Sequence, residues 1–264
     1  MMRYTIRYVS LLAGMLTVFS SCEHKDLCFD HEAHAPKSDV HVKAVYEKEW
    51  EHTCEGGPDW EQYPAWESRF GMEYHELCPD APDGLRVQVY NEDGTNNILN
   101  VAPEGDIVRM RPGEHSLLLY NNDTEYIVFD DMNSFASAKA TTRTRTRASY
   151  AGNPYMENTV ENTVNAPDML YGNYMENYTA ERKIEADELP VTMHPLVFTY
   201  LVRYEFSHGL EYVALARGAL AGMAGAVWLN SGRTSEEAAT ILYDCSVEDF
   251  GTQACVQSLS LIHI

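Results

Sequence analysis

Apolar and polar residues alternate with a period of two along much of this chain. Val40, Val42 and Ala44 are separated by His41 and Lys43, the spacing of a strand with one buried face. Leu85–Tyr90 alternates in the same way, runs into the turn residues Asn91-Glu92-Asp93-Gly94, and gives way to Ile98–Val101. A β-hairpin is predicted there, because Asn, Asp and Gly tolerate the positive φ that tight turns need. Ile107–Met110 and Ser116–Tyr120, joined at Pro112-Gly113, are predicted as another pair, with Glu125–Phe129 as a further strand. Short strands with tight turns point to an all-β sandwich, assigned to 39–140.

From Phe135 to Leu189 the pattern fades. Thr141 to Arg147 alternates threonine and arginine, and Tyr155-Met156-Glu157-Asn158 is echoed by Tyr174-Met175-Glu176-Asn177. Few core hydrophobes and low complexity predict an exposed linker over 141–189, with the arginine run either a target for a trypsin-like protease or a solvated loop, the latter favoured. Strands resume at Val197–Phe206, where a second sandwich is expected over 190–258. Tyr212–Leu229 is almost continuously apolar, yet Arg217 and its glycines argue against a membrane helix. A strand, a tight Gly218–Gly225 segment and another strand are predicted instead, followed by a strand at Ile241–Tyr243.

The N-terminus changes the picture. Arg3 and Arg7 precede an apolar stretch from Val9 to Phe19, the order of a secretory signal and too short to span a bilayer. It ends in Phe19-Ser20-Ser21-Cys22, which resembles a lipobox with Phe in the usual Leu position. Residues 1–21 are therefore expected to be a lipoprotein signal peptide, Cys22 the lipidated residue, and 22–38 a polar tether. Loss of Arg3 and Arg7 leaves 40 acids facing 17 bases and moves the net charge from −21 to −23, which excludes nucleic acid as a partner. Leu259–Ile264 matches the read-through of a common sequencing adapter, so the second sandwich is expected to be incomplete.

The lipobox, the hairpin-rich first half and three motifs stand together in order: Tyr120-Asn121-Asn122-Asp123-Thr124-Glu125, Ala166-Pro167-Asp168-Met169-Leu170-Tyr171-Gly172 and Leu220-Ala221-Gly222-Met223-Ala224-Gly225. Together they resemble the fimbrillin-like lipoproteins of type V pili. The resemblance covers roughly Cys22 to Val256 and implies two tandem transthyretin-like β-sandwich domains, the second truncated here. It also implies an outer-membrane, surface-exposed lipoprotein acting in adhesion or as a fimbrial subunit or anchor. Partners would be the membrane through the lipid, other subunits by strand exchange at an open sheet edge, and host or glycan ligands.

An aromatic, acidic insertion over 47–83 holds the remaining candidate chemistry. His52, Cys54, His75 and Cys78 form a zinc-type ligand set. A Cys54–Cys78 disulfide is favoured over it, since export permits oxidation and a bridge would staple a long loop. No metal or other cofactor is therefore expected. With Cys28, Cys245 and Cys255, an odd number of cysteines remains besides Cys22, and Cys245 and Cys255 are another potential pair. Trp50, Trp60 and Trp66 form either a glycan-stacking platform or the insertion's own small core, the latter favoured. No phosphate-binding glycine loop, metalloprotease helix or serine elbow occurs, and a non-catalytic protein is expected. The alternative is a lipid-anchored glycan-binding protein that captures polysaccharide.

Overall fold

A computed structural model describes residues 38–47, 66–67, 73–77, 79–147, 161–202, 204, 206–250, 253–257 and 259–261. The fold is all-β. The first strands are β1 (Ser38–Tyr46), β2 (Leu85–Asn91), β3 (Asn96–Val101), β4 (Asp106–Met110), β5 (Gly113–Asn121), β6 (Ile127–Asp130), β7 (Lys139–Thr142) and β8 (Thr163–Asn165). They are followed by β9 (Tyr171–Ala180), β10 (Asp187–Pro195), β11 (Thr199–Leu201), β12 (Ala216–Ala224), β13 (Ala226–Trp228), β14 (Ala238–Phe250), β15 (Gln253–Gln257) and β16 (Leu259–Leu261).

Seven strands make the main sheet in the order β3-β2-β5-β9-β10-β1-β4. β10 runs parallel to β1 from Asp187 to Met193 and meets β9 only at His194 and Pro195, so it links two halves of the sheet. Val40, Val42 and Val108 from one half pack with Val87, Val89, Leu117 and Leu119 from the other in a single core. Each fully buried Val or Leu contributes about 1.5–3 kcal/mol.

The opposite face of β2 and β5 is buried too. Leu118, Tyr120 and Tyr90 pack against Ala138, Ala140 and Val227 beneath a three-stranded sheet, β13-β7-β6. The unbroken run Leu117-Leu118-Leu119-Tyr120 follows from this: a strand covered on both faces has no polar side. Gln88 is buried on that outer face, and its hydrogen bonds are met. Its amide nitrogen, Nε2, donates to the Met132 carbonyl at 2.7 Å, and the Tyr120 hydroxyl donates to its Oε1 at 3.1 Å. The Tyr90 hydroxyl reaches the same Met132 carbonyl at 2.9 Å, and burial pushes the Tyr90 and Tyr120 phenols above their ordinary pKa. This network fixes the segment after β6.

The predicted hairpin forms as β2 and β3, with Gly94 at φ 78°. The second predicted pair does not. β4 pairs with β1, whereas β5 lies between β2 and β9, so the chain arches from one half of the sheet to the other at Gly113. Residues 141–189 are not an exposed linker over their described part either: they supply β8, β9 and the start of β10. Tyr174-Met175-Glu176-Asn177 lies in the middle of β9, with Met175 against the main core; Tyr155–Asn158 lies outside the described residues.

The arginine run is held through its backbone, although Arg143, Thr144 and Thr146 are exposed. Arg143 N–H donates to the Tyr126 carbonyl at 2.9 Å, Arg145 N–H to Thr163 at 2.9 Å, and Asn165 N–H to Arg143 at 3.0 Å. A protease needs extended, unpaired backbone, so limited trypsinolysis of the native protein is expected to spare the bonds after Arg143 and Arg145. Their cleavage ahead of other sites, read by mass spectrometry, would contradict this pairing.

Of the Tyr212–Leu229 segment, Leu210–Tyr212 is an exposed 3-10 turn, and β12, a bend at Gly225 and β13 follow. No helix among the described residues is long and apolar enough to cross a membrane. β12 and β14 pair with a register shift between Leu220 and Met223, where Gly222 takes φ 77°.

Candidate functional site

Most of the sequence-predicted site residues, Cys22, Trp50, Cys54, Trp60 and Cys78, lie outside the described residues. Trp66 is described: its ring meets Tyr74 edge to face, centroids 5.0 Å apart, the contact expected of an insertion that packs on itself. Cys245 is a free thiol whose pKa burial raises. The register sets Cys255 opposite Glu248, three residues along from Cys245, which does not favour the potential 245–255 pair.

Two of the motifs behind the resemblance interlock. Asn121, at the end of β5, accepts a hydrogen bond from Tyr171 N–H at 2.7 Å and donates to the Met169 carbonyl at 3.1 Å and to Asp123 at 2.8 Å. Asp168 Oδ2 accepts from the backbone of Glu125 at 2.7 Å and Tyr126 at 2.5 Å. A third donor, Ile127 N–H, is 3.3 Å away. One motif thus seats the other, and both act on backbone.

A second polar latch brackets 148–160. Arg147 donates twice to Glu161, at 2.5 and 2.8 Å, and Thr240 Oγ1 donates to the same carboxylate at 2.6 Å. The Arg147 and Thr240 hydrogen bonds hold the Glu161 carboxyl down to about 2 from 4.5. A carboxyl depressed by folding stabilises the fold above its unfolded pKa, and that contribution is lost as pH falls through the folded value. The latch is therefore expected to be intact at neutral pH and to open between pH 4.5 and about 2. The protection of the Thr240 amide, bonded to the Asn162 carbonyl at 2.8 Å, corrected for the intrinsic exchange rate at each pH, should fall over that window and be low at neutral pH in Glu161→Gln. A flat profile in the wild type would refute the latch.

Surfaces suited to partners among the described residues include two sheet ends and one turn. β3 and β4 end the main sheet and expose Ile98 and Ile107. End strands offer backbone donors and acceptors to another chain. On the turn before β12, Tyr212 is 84% and Leu215 63% exposed, side chains whose apolar area normally finds cover.

A family profile described as a domain of unknown function, DUF5119, matches residues 65–244, more than half of the chain. The chain belongs to this family. It is 27% identical over 178 residues to a Bacteroides ovatus protein named "Putative fimbrium anchoring subunit Fim4B". That match covers 66% of this chain and 50% of the relative, so the chain spans about half the length of the curated relative it matches. The crystal structure of a "putative adhesin" from Bacteroides ovatus superposes with a TM-score of 0.57 at 21% identity, over 92% of this chain and 72% of that one, which shows the fold. The named relative agrees with the fimbrillin-like resemblance carried by the motifs.

Proposed function

We propose that this DUF5119 protein is a non-catalytic fimbrial component of the cell envelope, of the anchor type. The similarity to the Bacteroides ovatus anchoring subunit is the observation that carries this reading, since it extends over 178 residues of an all-β body built for packing. In this reading Cys22 bears the lipid, residues 22–38 hold the body off the outer membrane, and the sheet ends or the Tyr212–Leu215 turn meet a fimbrial subunit. Strand addition to a sheet end supplies affinity through backbone hydrogen bonds and specificity through alternate side chains.

Deletion of the gene in its native host is expected to shed fimbriae into the medium, and wild-type protein in trans should restore their attachment. Fimbriae that stay cell-bound in equal amount would overturn the anchor role. Cys22→Ala is expected to move the protein from the membrane to the soluble fraction and to reproduce the shedding. Unchanged membrane retention would remove the lipid from the account while leaving the fimbrial reading to the deletion.

A further inference from the structure

In the anchor reading proposed above, on which the use of this device in the cell rests, load between the membrane and a fimbria enters the folded body at Ser38, the first residue of β1. β1 is not an edge strand: it lies between β10 and β4 in the main sheet. Its pairing with β10 is parallel and runs from Val40–Asp187 to Tyr46–Met193. Glu47 N–H continues it by donating to the Met193 carbonyl at 2.9 Å. On its other side β1 pairs antiparallel with β4 from Ser38–Met110 to Val42–Asp106, and Ala44 N–H donates to the Pro103 carbonyl at 3.2 Å.

Side chains fasten the same strand. Val40 and Val42 are fully buried in the core with Val108, Val191 and Met193. Asp39 meets Arg109 of β4 at 3.5 Å, and His41 Nδ1 lies 3.0 Å from a carboxylate oxygen of Glu188 on β10. Glu47, just past β1, meets His194 of β10 at 2.6 Å. At the other end the Ser38 hydroxyl donates to the Glu181 carbonyl, where β9 turns towards β10.

Direction decides how this strand meets force. The chain enters β1 at the end where β10 begins, and it leaves β10 at Pro195, beyond the opposite end of the pairing. Pulling the start of β1 against the end of β10 slides one strand along the other, so the hydrogen bonds between them are loaded together. Pulling both strands from the same end opens those bonds one after another. Forced unfolding is governed by the barrier and not by equilibrium stability, so bonds that must break together resist longer than the same bonds broken singly. We propose that the β1–β10 pair has a mechanical function: it is a shear clamp that keeps the folded body on its N-terminal tether under tension.

Optical tweezers on the purified full chain test it. One DNA handle is fixed at the N-terminus and a second is clicked onto an azide-bearing residue in place of Thr192, exposed near the far end of β10, or of Glu185, exposed just before its start. At one fixed force the fold is expected to last about tenfold longer when held at 192 than at 185, a barrier difference of about 1.4 kcal/mol. Ala44 N–H faces Pro103 and Glu47 N–H faces Met193, so alternation aims Val45 N–H at β10, while the Val45 side chain is exposed. Val45→Pro therefore removes a bond of the clamp and no core contact. It should shorten the lifetime about tenfold with the handle at 192, and by less than about twofold at 185, where opening starts from the Val40–Asp187 end. An equal or shorter lifetime at 192, or an equal loss from Val45→Pro in both geometries, would overturn the clamp. The first comparison leaves β1 unaltered, which keeps the test decisive if Val45→Pro folds poorly. Fimbriae retained after gene deletion would remove the anchor role without moving either lifetime.

Discussion

Leu118→Ala is expected to lower the unfolding free energy by about 2–5 kcal/mol, and Leu119→Ala by a similar amount, because each empties a site that the surroundings cannot refill. The two side chains are fully buried on opposite faces of β5: Leu119 belongs to the core inside the main sheet and Leu118 to the core under β13-β7-β6. They share a backbone but belong to different clusters, so the losses should nearly add. A domain of ordinary stability holds about 5–15 kcal/mol, and the double variant is expected to be largely unfolded at 37 °C. Urea denaturation of the single variants, followed by near-ultraviolet circular dichroism, measures both terms. If Leu118→Ala cost under about 1 kcal/mol while Leu119→Ala cost the full amount, the outer face of β5 would not be a core.

That two-sided burial explains what the sequence made legible and what it hid. Alternation in β1 and β2 named the buried residues correctly, and the β2–β3 hairpin was readable because its turn chemistry is local: Gly94 takes positive φ and Thr95 N–H caps on Asp93 at 3.0 Å. Alternation names a face, however, and not a partner. Val108 and Met110 of β4 meet Leu117 and Leu119 of β5 within one core, rather than lying beside them in a hairpin, and no local signal separates these outcomes. The parallel β1–β10 pairing was equally invisible, since its register is set by residues far apart in the chain.

β9 was missed for a more specific reason. Its inward residues are Tyr171, Met175, Tyr178 and Ala180, and the period of two skips a position where the bulge adds a residue opposite Ser116. With Asn and Glu filling the exposed positions, the segment looks like a polar repeat. His115 is a polar residue on the buried side of an apolar strand, the side of Leu117 and Leu119. The motifs that suggested the family answer to backbone geometry: Asn121 and Asp168 bind N–H groups, and Gly222 and Gly225 permit a bulge and a close approach to the Glu237 carbonyl.

Asn121→Ala should therefore cost about 2–6 kcal/mol, because it removes the partner of a buried group, Tyr171 N–H, and of a part-buried one, the Met169 carbonyl, at about 1–3 kcal/mol each. Asn121→Asp separates the two halves of that interaction. The aspartate keeps an acceptor for Tyr171 N–H but loses the donor, and its charge would face the Met169 carbonyl and the Asp123 carboxylate. Burial and like charge both disfavour ionisation, so the folded-state pKa of the new carboxyl rises above its unfolded value near 3.9. The sign then opposes the one at Glu161: a carboxyl raised by folding costs stability as pH climbs past the unfolded value, and the loss recovers on acidification. Relative to wild type, Asn121→Asp should be less destabilised at pH 4 than at pH 7, while Asn121→Ala should lose about the same at both. Thermal melts of the three proteins at the two pH values decide it. A pH-independent deficit in the aspartate variant would mean that residue 121 reaches water, and that the two motifs meet only at the surface.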